Sequence, residues 1–417
     1  MLRSAYTPIR PWPPDANVTP DVADLVVVGA GTIGGWASVF ATELGVERVV
    51  VLEDGLVGQG ASSRAAGIVR AQGGTPETVA LGRWSIDFYR SQWERYGTDS
   101  GFRELGYLIL ATNGAQEREA RARIEMQREA GLDVRWVDAD EAATLNPTLD
   151  PSAFRGASYA PGDGCVDPPR NVRAYSLAMQ RAGVALRERT RFLGLRRGAA
   201  GRITGVETST GPIATERVLL TGGPRLREVG ALVDARILVG AVRHQVAVTE
   251  PHEAFDGDRL PMVFENAVGL YWRPEEGGLL FGMSNPDERP GPAREVDWSY
   301  LRRMERRMRR AVPVAVGLGI RKAWAATIEY CPDHLPIVGP VITRRGVELD
   351  GVTVATAVGH GMMWGPAVAR IAAELAVDGA TDVTDVSGWR IDRFDEHGRS
   401  PSYDPIALPF PVSADAE

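Results

Sequence analysis

Cysteine is almost absent from this chain. Cys165 and Cys331 are the only two in 417 residues, and they lie far apart. That excludes a disulfide framework as the source of stability and points to a reducing compartment. Histidine is scarce too: His244, His252, His334, His360 and His397 show no metal-ligand spacing. No apolar run reaches the ~20 residues that a membrane span needs. The first 21 residues carry Pro8, Pro11, Pro13, Pro14 and Pro20 without an apolar core. They read as a tail or surface arm, not a signal peptide, so a cytoplasmic location is expected. An excess of positive charge is also missing: the formal net charge is -7, which argues against nucleic acid as the main partner. What is left is a composition ordinary for a globular chain, with 44% hydrophobic and 24% charged residues. The length predicts two domains rather than one core.

The strongest feature present is the stretch from Leu25 to Glu53. An apolar run, Leu25-Val26-Val27-Val28, meets Gly29-Ala30-Gly31-Thr32-Ile33-Gly34 and then a helical pattern to Leu44. A second run, Val49-Val50-Val51-Leu52, ends in Glu53. This is strand, Gly-rich turn, helix, parallel strand and acid, the pattern of a dinucleotide site. Gly29 would permit the turn, Gly31 the approach of a pyrophosphate, and Gly34 close helix packing. The helix N-terminus would offer N–H groups to phosphate, and Glu53 would accept from a ribose.

Beyond it, Ala61 to Ile68 supports two readings. Its small residues suit backbone lying flat on a planar group, and Ser62 or Ser63 equally suits a helix cap. A helix is expected from Thr75 to Tyr96 with Val79, Leu81, Trp84, Phe88 and Trp93 on its core face. A meander is expected from Val184 through Phe192, Ile203–Thr208 and Ile213 to the strand ending at Thr221-Gly222. Arg243 to Thr249 alternates at period two and opens a second sheet, continued by a hairpin of Gly269–Arg273 and Gly278–Gly282. The arginines from Tyr300 to Arg310 read as a solvated face or as a site for an anion. The strand Val352 to Ala357 turns through Gly359-His360-Gly361-Met362-Met363 into a helix ending at Val377, and the tail from Asp382 is expected to wrap the surface.

Four blocks together carry a resemblance: Gly29–Gly34 with Glu53; Gly60–Gly67; Tyr330-Cys331-Pro332-Asp333-His334-Leu335-Pro336-Ile337-Val338-Gly339; and Gly359-His360-Gly361. The chain resembles the FAD-dependent oxidoreductases of the D-amino-acid oxidase superfamily, in the branch of sarcosine, dimethylglycine and glycine oxidases. The resemblance implies an α/β fold: a Rossmann-like FAD-binding domain beside an α+β substrate domain on a mostly antiparallel sheet. Segments 22–100, 155–240 and 325–395 would form the first, 101–154 and 241–324 the second, with 1–21 and 396–417 as tails. Gly29, Gly31, Thr32, Ile33, Gly34, Glu53 and Asp54 would hold the adenosine and pyrophosphate, with Phe192, Thr221 and Gly222. Ser62, Ser63, Arg64, Gly67 and Ile68 would line the isoalloxazine, Gly359, His360, Gly361, Met362 and Met363 would lie under its pyrimidine edge, and Gly339 would also contact the cofactor.

The implied chemistry is oxidation of a C–N bond in a small-molecule amine or amino acid, by hydride loss to flavin N5 and hydrolysis of the imine. A secondary or N-methylated amine is the expected donor. Tyr271, His244 and His360 are the candidate catalytic residues; Arg70, Arg273 and Tyr330 are candidates for holding substrate. His244 reads equally as a strand histidine bonded to backbone, and Arg273 as a surface salt bridge. No metal ligand is assigned. Relatives with histidyl-linked flavin carry His where this chain has Arg64, and those with cysteinyl flavin carry Cys near Ile328. Non-covalent FAD is therefore expected. Lysines that assist oxygen in monomeric sarcosine oxidases are replaced by Leu280 and Met363, so the acceptor stays open between oxygen and another oxidant. An oligomer, a role as one subunit of a larger electron-transfer complex, and oxidation of a biosynthetic intermediate stay open as well.

Overall fold

The computed structural model describes residues 21–255, 260–293 and 295–406. The expected N-terminal arm and the last eleven residues of the expected C-terminal tail fall outside them.

The strands that build the two large sheets are, in chain order, β1 (Leu25–Val28), β2 (Val49–Leu52), β3 (Tyr107–Ala111), β4 (Arg135–Asp138), β5 (Gly156–Ala160), β6 (Ala185–Arg187) and β7 (Val218–Leu220). They continue as β8 (Gly240–Thr249), β9 (Met262–Glu265), β10 (Leu270–Glu275), β11 (Gly278–Met283), β12 (Ile320–Tyr330), β13 (Ile337–Ile342) and β14 (Glu348–Thr356). The principal helices are α1 (Thr32–Glu43), α2 (Pro76–Tyr96), α3 (Gly114–Glu129), α4 (Pro168–Arg181), α5 (Trp298–Ala311) and α6 (Gly365–Val377).

The first sheet has the order β13-β14-β7-β1-β2-β6 and is parallel except for the β13–β14 pair. Its central strands are all-apolar because both faces are covered. On one face α1, α4 and α6 bury Trp36, Phe40, Tyr175 and Ile371. On the other, Val26, Leu52 and Leu220 pack with Phe192, Val206 and Ile213 of a three-stranded antiparallel sheet. Val184 to Leu186 does not begin that meander: β6 is the edge strand beside β2.

The second sheet, β12-β8-β11-β10-β9-β3-β5-β4, has one parallel pair, β9–β3, and is otherwise antiparallel. Period-two alternation sorts its side chains. Trp272 and Phe281 face α5, where Leu301, Met304 and Met308 are buried; Tyr271 and Leu280 face the opposite way, with Tyr107 and Phe264. The α5 arginines divide: Arg307 pairs with the buried Glu265 and Arg309 with Glu305.

α2 starts at a capping box between Thr75 and Thr78 and stops at Gly97 in a left-handed conformation. Trp93 is not on its core face but 64% exposed. The tail is also more than a surface wrap. Trp389, Ile391, Asp404 and Ile406 are buried, and Arg393 forms a buried ion pair with Asp333 at 2.7 Å.

Candidate active site

The carboxyl ends of β1, β2, β7 and β14 open into a cavity that extends to the inner face of the second sheet. Its volume is about 480 Å³, in the usual range of about 300–1,000 Å³ for ligand pockets. Gly29, Gly31, Thr32, Ile33, Glu53 and Asp54 line one end. Gly29 has φ +105°, and a Cβ there would lie 2.7 Å from the Thr221 carbonyl oxygen. A Cβ on Gly34 would meet the Gly29 carbonyl at 1.9 Å, so this glycine seats α1 and lies outside the cavity wall.

At Gly31 an added Cβ would meet only the Ser62 hydroxyl, at 3.2 Å, and at Gly361 nothing within 4 Å. Gly361 therefore faces open space, while Gly31 has only the Ser62 hydroxyl close by. Ser62 caps neither of its neighbours; its hydroxyl accepts from the Thr32 amide, 3.0 Å away, and so ties its own loop to the first turn of α1. Glu53 accepts from the amides of Ala30 and Gly55, each at 3.0 Å, which fixes the carboxylate at the mouth of the Gly-rich turn. Beside it, Asp54 is held by Arg191 and Arg225; burial raises its pKa, but the two guanidinium groups outweigh that and keep it low.

Further along, Arg64, Gly67 and Ile68 face the turn of Gly359, His360, Gly361, Met362 and Met363, with Thr221 and Gly222 between the two ends. That turn enters through Val358 at φ +43°, a conformation β-branched residues rarely adopt. His360 is buried, and its Nδ1 atom has no hydrogen-bond partner among the described residues. Burial, with the nearby charge of Arg70, lowers its pKa to about 3, so the ring is neutral.

The far end brings together His244 and Tyr271, whose Nε2 and hydroxyl lie 2.6 Å apart, with Arg70, Tyr107, Phe264 and Ile328. Burial lowers His244 to about 4 and pushes the Tyr271 phenol well up, so both are neutral at pH 7. The reading of His244 as a backbone-bonded strand histidine does not hold for Nε2: its partner is the Tyr271 hydroxyl in the cavity. Arg70 is 4% exposed and donates to the backbone carbonyls of Gln72 and Ile406, the latter at 3.1 Å.

Six expected residues stand elsewhere. Arg273 is neither at the surface nor in the cavity wall: it is buried, pairs with Glu275 and donates to the Ala66 carbonyl at 2.8 Å. It shares a strand face with Tyr271 but reaches the loop behind. Tyr330 is buried against Gly240, where a Cβ would meet its ring at 2.5 Å, and does not line the cavity. Phe192 sits in the core under the first sheet, and Gly339 packs near Arg390. Ser63 turns away to the Gly58 carbonyl. Gly34 lies off the cavity wall but has the helix-packing role expected of it.

Other participants carried no sequence signal. Gln72, Ser158 and Asp163 form a buried network: the Gln72 amide accepts from Ser158 at 2.7 Å and donates to Asp163 at 3.1 Å. Asp163 also accepts from the Ala71 amide, and burial raises it to about 6. The network fixes the strand-like segment that carries Arg70. Ile406, in the tail, packs with Tyr107, Phe264 and Tyr271. These residues are distant in sequence, and nothing in their spacing links them. Cys331 is fully buried outside the cavity wall, bonded to Asp333 and to the Leu335 carbonyl, each at 3.1 Å.

A model of the family described as FAD dependent oxidoreductase (DAO) matches residues 24–375. The chain belongs to this family. Among its relatives, 4-methylaminobutanoate oxidase (formaldehyde-forming) of Paenarthrobacter nicotinovorans is 26% identical, over 91% of this chain and 46% of that protein. The chain thus spans under half of that relative's length. Glycine oxidase of Geobacillus kaustophilus is 29% identical over 84% of this chain and 92% of its own. Among solved structures, L-proline dehydrogenase from P. horikoshii superposes with a TM-score of 0.82 at 26% identity, covering 90% of this chain and 98% of that one.

FAD is the family's cofactor, and the residues present fit it. The open face of Gly361 and the side-chain-free Gly31 in the cavity wall suit a close approach, the Glu53 carboxylate stands at the turn, and His360 holds an unpaired buried nitrogen. Among the described residues, no group of three or more His, Cys, Asp or Glu side chains is placed to hold a metal, and no helix is long and apolar enough to cross a membrane.

Proposed function

We propose that this family member oxidises a C–N bond of an amine or amino acid, with a preference for a secondary or N-methylated amine. The observation that carries this reading is the neutral His244–Tyr271 pair, 2.6 Å apart, at the end of the cavity away from the dinucleotide turn. Bound FAD supplies the hydride acceptor. His244 and Tyr271 fix the amine by hydrogen bonds, and because both groups are neutral the site receives the amine in its unprotonated form, the form that is oxidised. Phe264, Tyr107 and Ile328 keep water from the reacting carbon. Arg70 has two of its N–H groups on backbone carbonyls and turns the remainder of its charge to a substrate carboxylate. The names of the relatives support this donor class: an N-methylamino acid oxidase and a glycine oxidase.

The flavin is held without a covalent bond. Arg64 and Ile328, which by the resemblance occupy the places of linking residues and can form no such bond, line the cavity, and the Cys331 thiol is engaged outside it. A second reading concerns the acceptor. Lys322 is the only lysine in the chain and pairs with Glu276 away from the cavity. Leu280 and Met363 bring no cation to the flavin. Electrons would then pass to an acceptor other than oxygen, including a partner protein.

The test is anaerobic mixing of the purified yellow protein with a panel of primary, secondary and N-methylated amines, followed at the flavin absorbance. Bleaching by a secondary amine is the expected outcome. Bleaching by none of the panel rejects the donor class. Acid precipitation of the same protein should leave FAD in the supernatant; a yellow pellet rejects the non-covalent reading.

A further inference from the structure

Two carboxyl groups in the cavity wall have no motif to account for them: Glu228, which is exposed and pairs with Arg225, and Glu329, which is buried. Glu329 is 7% exposed, at the penultimate position of β12, next to Ile328. Its Oε1 accepts from the Thr356 hydroxyl at 3.2 Å, and the Gly359 amide also donates to the carboxyl group. Its Oε2 lies 3.8 Å from where a Cβ on Gly223 would stand. It is therefore lodged between the two segments on either side of the cavity's middle: the turn after β7 at Gly222-Gly223, and the turn after β14 at Gly359. The pyrophosphate end of the cavity is on one side and the Gly359–Met363 turn on the other.

A buried carboxyl group is costly unless its oxygens are satisfied. The hydroxyl-bearing part of FAD between its pyrophosphate and its ring is the ribityl chain. We propose that Glu329 is a cofactor-binding residue whose carboxyl group hydrogen-bonds the ribityl hydroxyls of FAD. Burial raises the Glu329 pKa, and the charge of a bound pyrophosphate acts in the same direction. The carboxyl oxygens accept from hydroxyls, so a neutral amide of the same shape can take their place but an alkyl group cannot. The proposal rests on the family's FAD and not on the choice of amine.

The experiment measures FAD affinity of deflavinated protein by flavin fluorescence, for wild type, E329Q and E329A, with ADP as a competing probe. Losing a hydrogen bond to a buried group weakens binding on the order of tenfold or more. Glu329→Ala is expected to raise the FAD Kd by at least that factor. Glu329→Gln should stay within about threefold, because it keeps an acceptor oxygen of the same reach. ADP lacks the ribityl chain, so its Kd should be the same in all three. Equal FAD affinity of E329A and wild type overturns the proposal, and so does an equal loss of ADP and FAD affinity, which would mark a general disturbance of the fold. Failure of the wild type itself to bind FAD would instead count against cofactor binding as a whole.

Discussion

Tyr271→Phe removes one oxygen from the chain and nothing else. That oxygen is the partner of His244 Nε2 at 2.6 Å, and the ring around it is 4% exposed. The Phe ring keeps the packing with Tyr107, Phe264 and Ile406, so no cavity larger than a hydroxyl forms. The cost to stability is that of leaving one buried imidazole nitrogen without its partner, about 1–3 kcal/mol. The cost to turnover is larger if the pair fixes the amine, since a small misplacement of the reacting groups costs about 10²-fold. Stopped-flow reduction under anaerobic conditions, with the best amine from the panel, should fall by about 10²-fold or more while FAD content and spectrum stay normal. His244→Ala should fall similarly, and the double variant should lose little further, because the two act as a unit. A reduction rate for Y271F within twofold of wild type, at full FAD content, refutes the assignment of the pair to catalysis.

Two other expectations follow from the same geometry. Gly29→Ala forces a non-glycine residue to φ +105° and brings its methyl group 2.7 Å from the Thr221 carbonyl, so urea unfolding should show a loss of about 1–3 kcal/mol or more, with loss of FAD; unaltered stability would refute the strained turn. Acid sensitivity should be set by histidines that burial keeps neutral: His244 and His334 fall to about 4 and His360 to about 3. Because each binds its proton more readily when unfolded, their stabilising contribution is complete above pH 6.5 and is lost as the pH falls from 6.5 toward 4 and then 3. Urea midpoints of the apoprotein at pH 7, 5.5 and 4.5 should decline in that order, and a flat series would contradict the burial of neutral imidazoles.

The sequence by itself determined those parts of the molecule whose physics is local. β1, the Gly-rich turn, α1, β2 and Glu53 occur in the structure where the residue pattern puts them, because each glycine and each apolar run answers to its immediate neighbours. The hairpin of β10 and β11 and the alternation along β8 were legible for the same reason: period two fixes which side chains share a face. Tyr271 and His244 were legible as residue types on adjacent parts of one sheet.

What the tertiary structure alone decided is which distant groups meet. Arg273 has the right strand face but is taken up by Glu275 and the Ala66 carbonyl, while Arg70 reaches the cavity because Gln72, Ser158 and Asp163 hold its segment in place. Val184 to Leu186 looked like the start of a meander, yet the free edge of β2 claimed it. The tail looked like a surface strap, yet Ile406 lies among the aromatic residues of the cavity and its carbonyl occupies Arg70. Glu329 had no motif at all. Its meaning depends on the turn after β7 and the turn after β14 arriving at the same carboxyl group. Hydrogen bonds and burial between segments separated by tens to hundreds of residues leave no period in the sequence, so only the folded chain shows them.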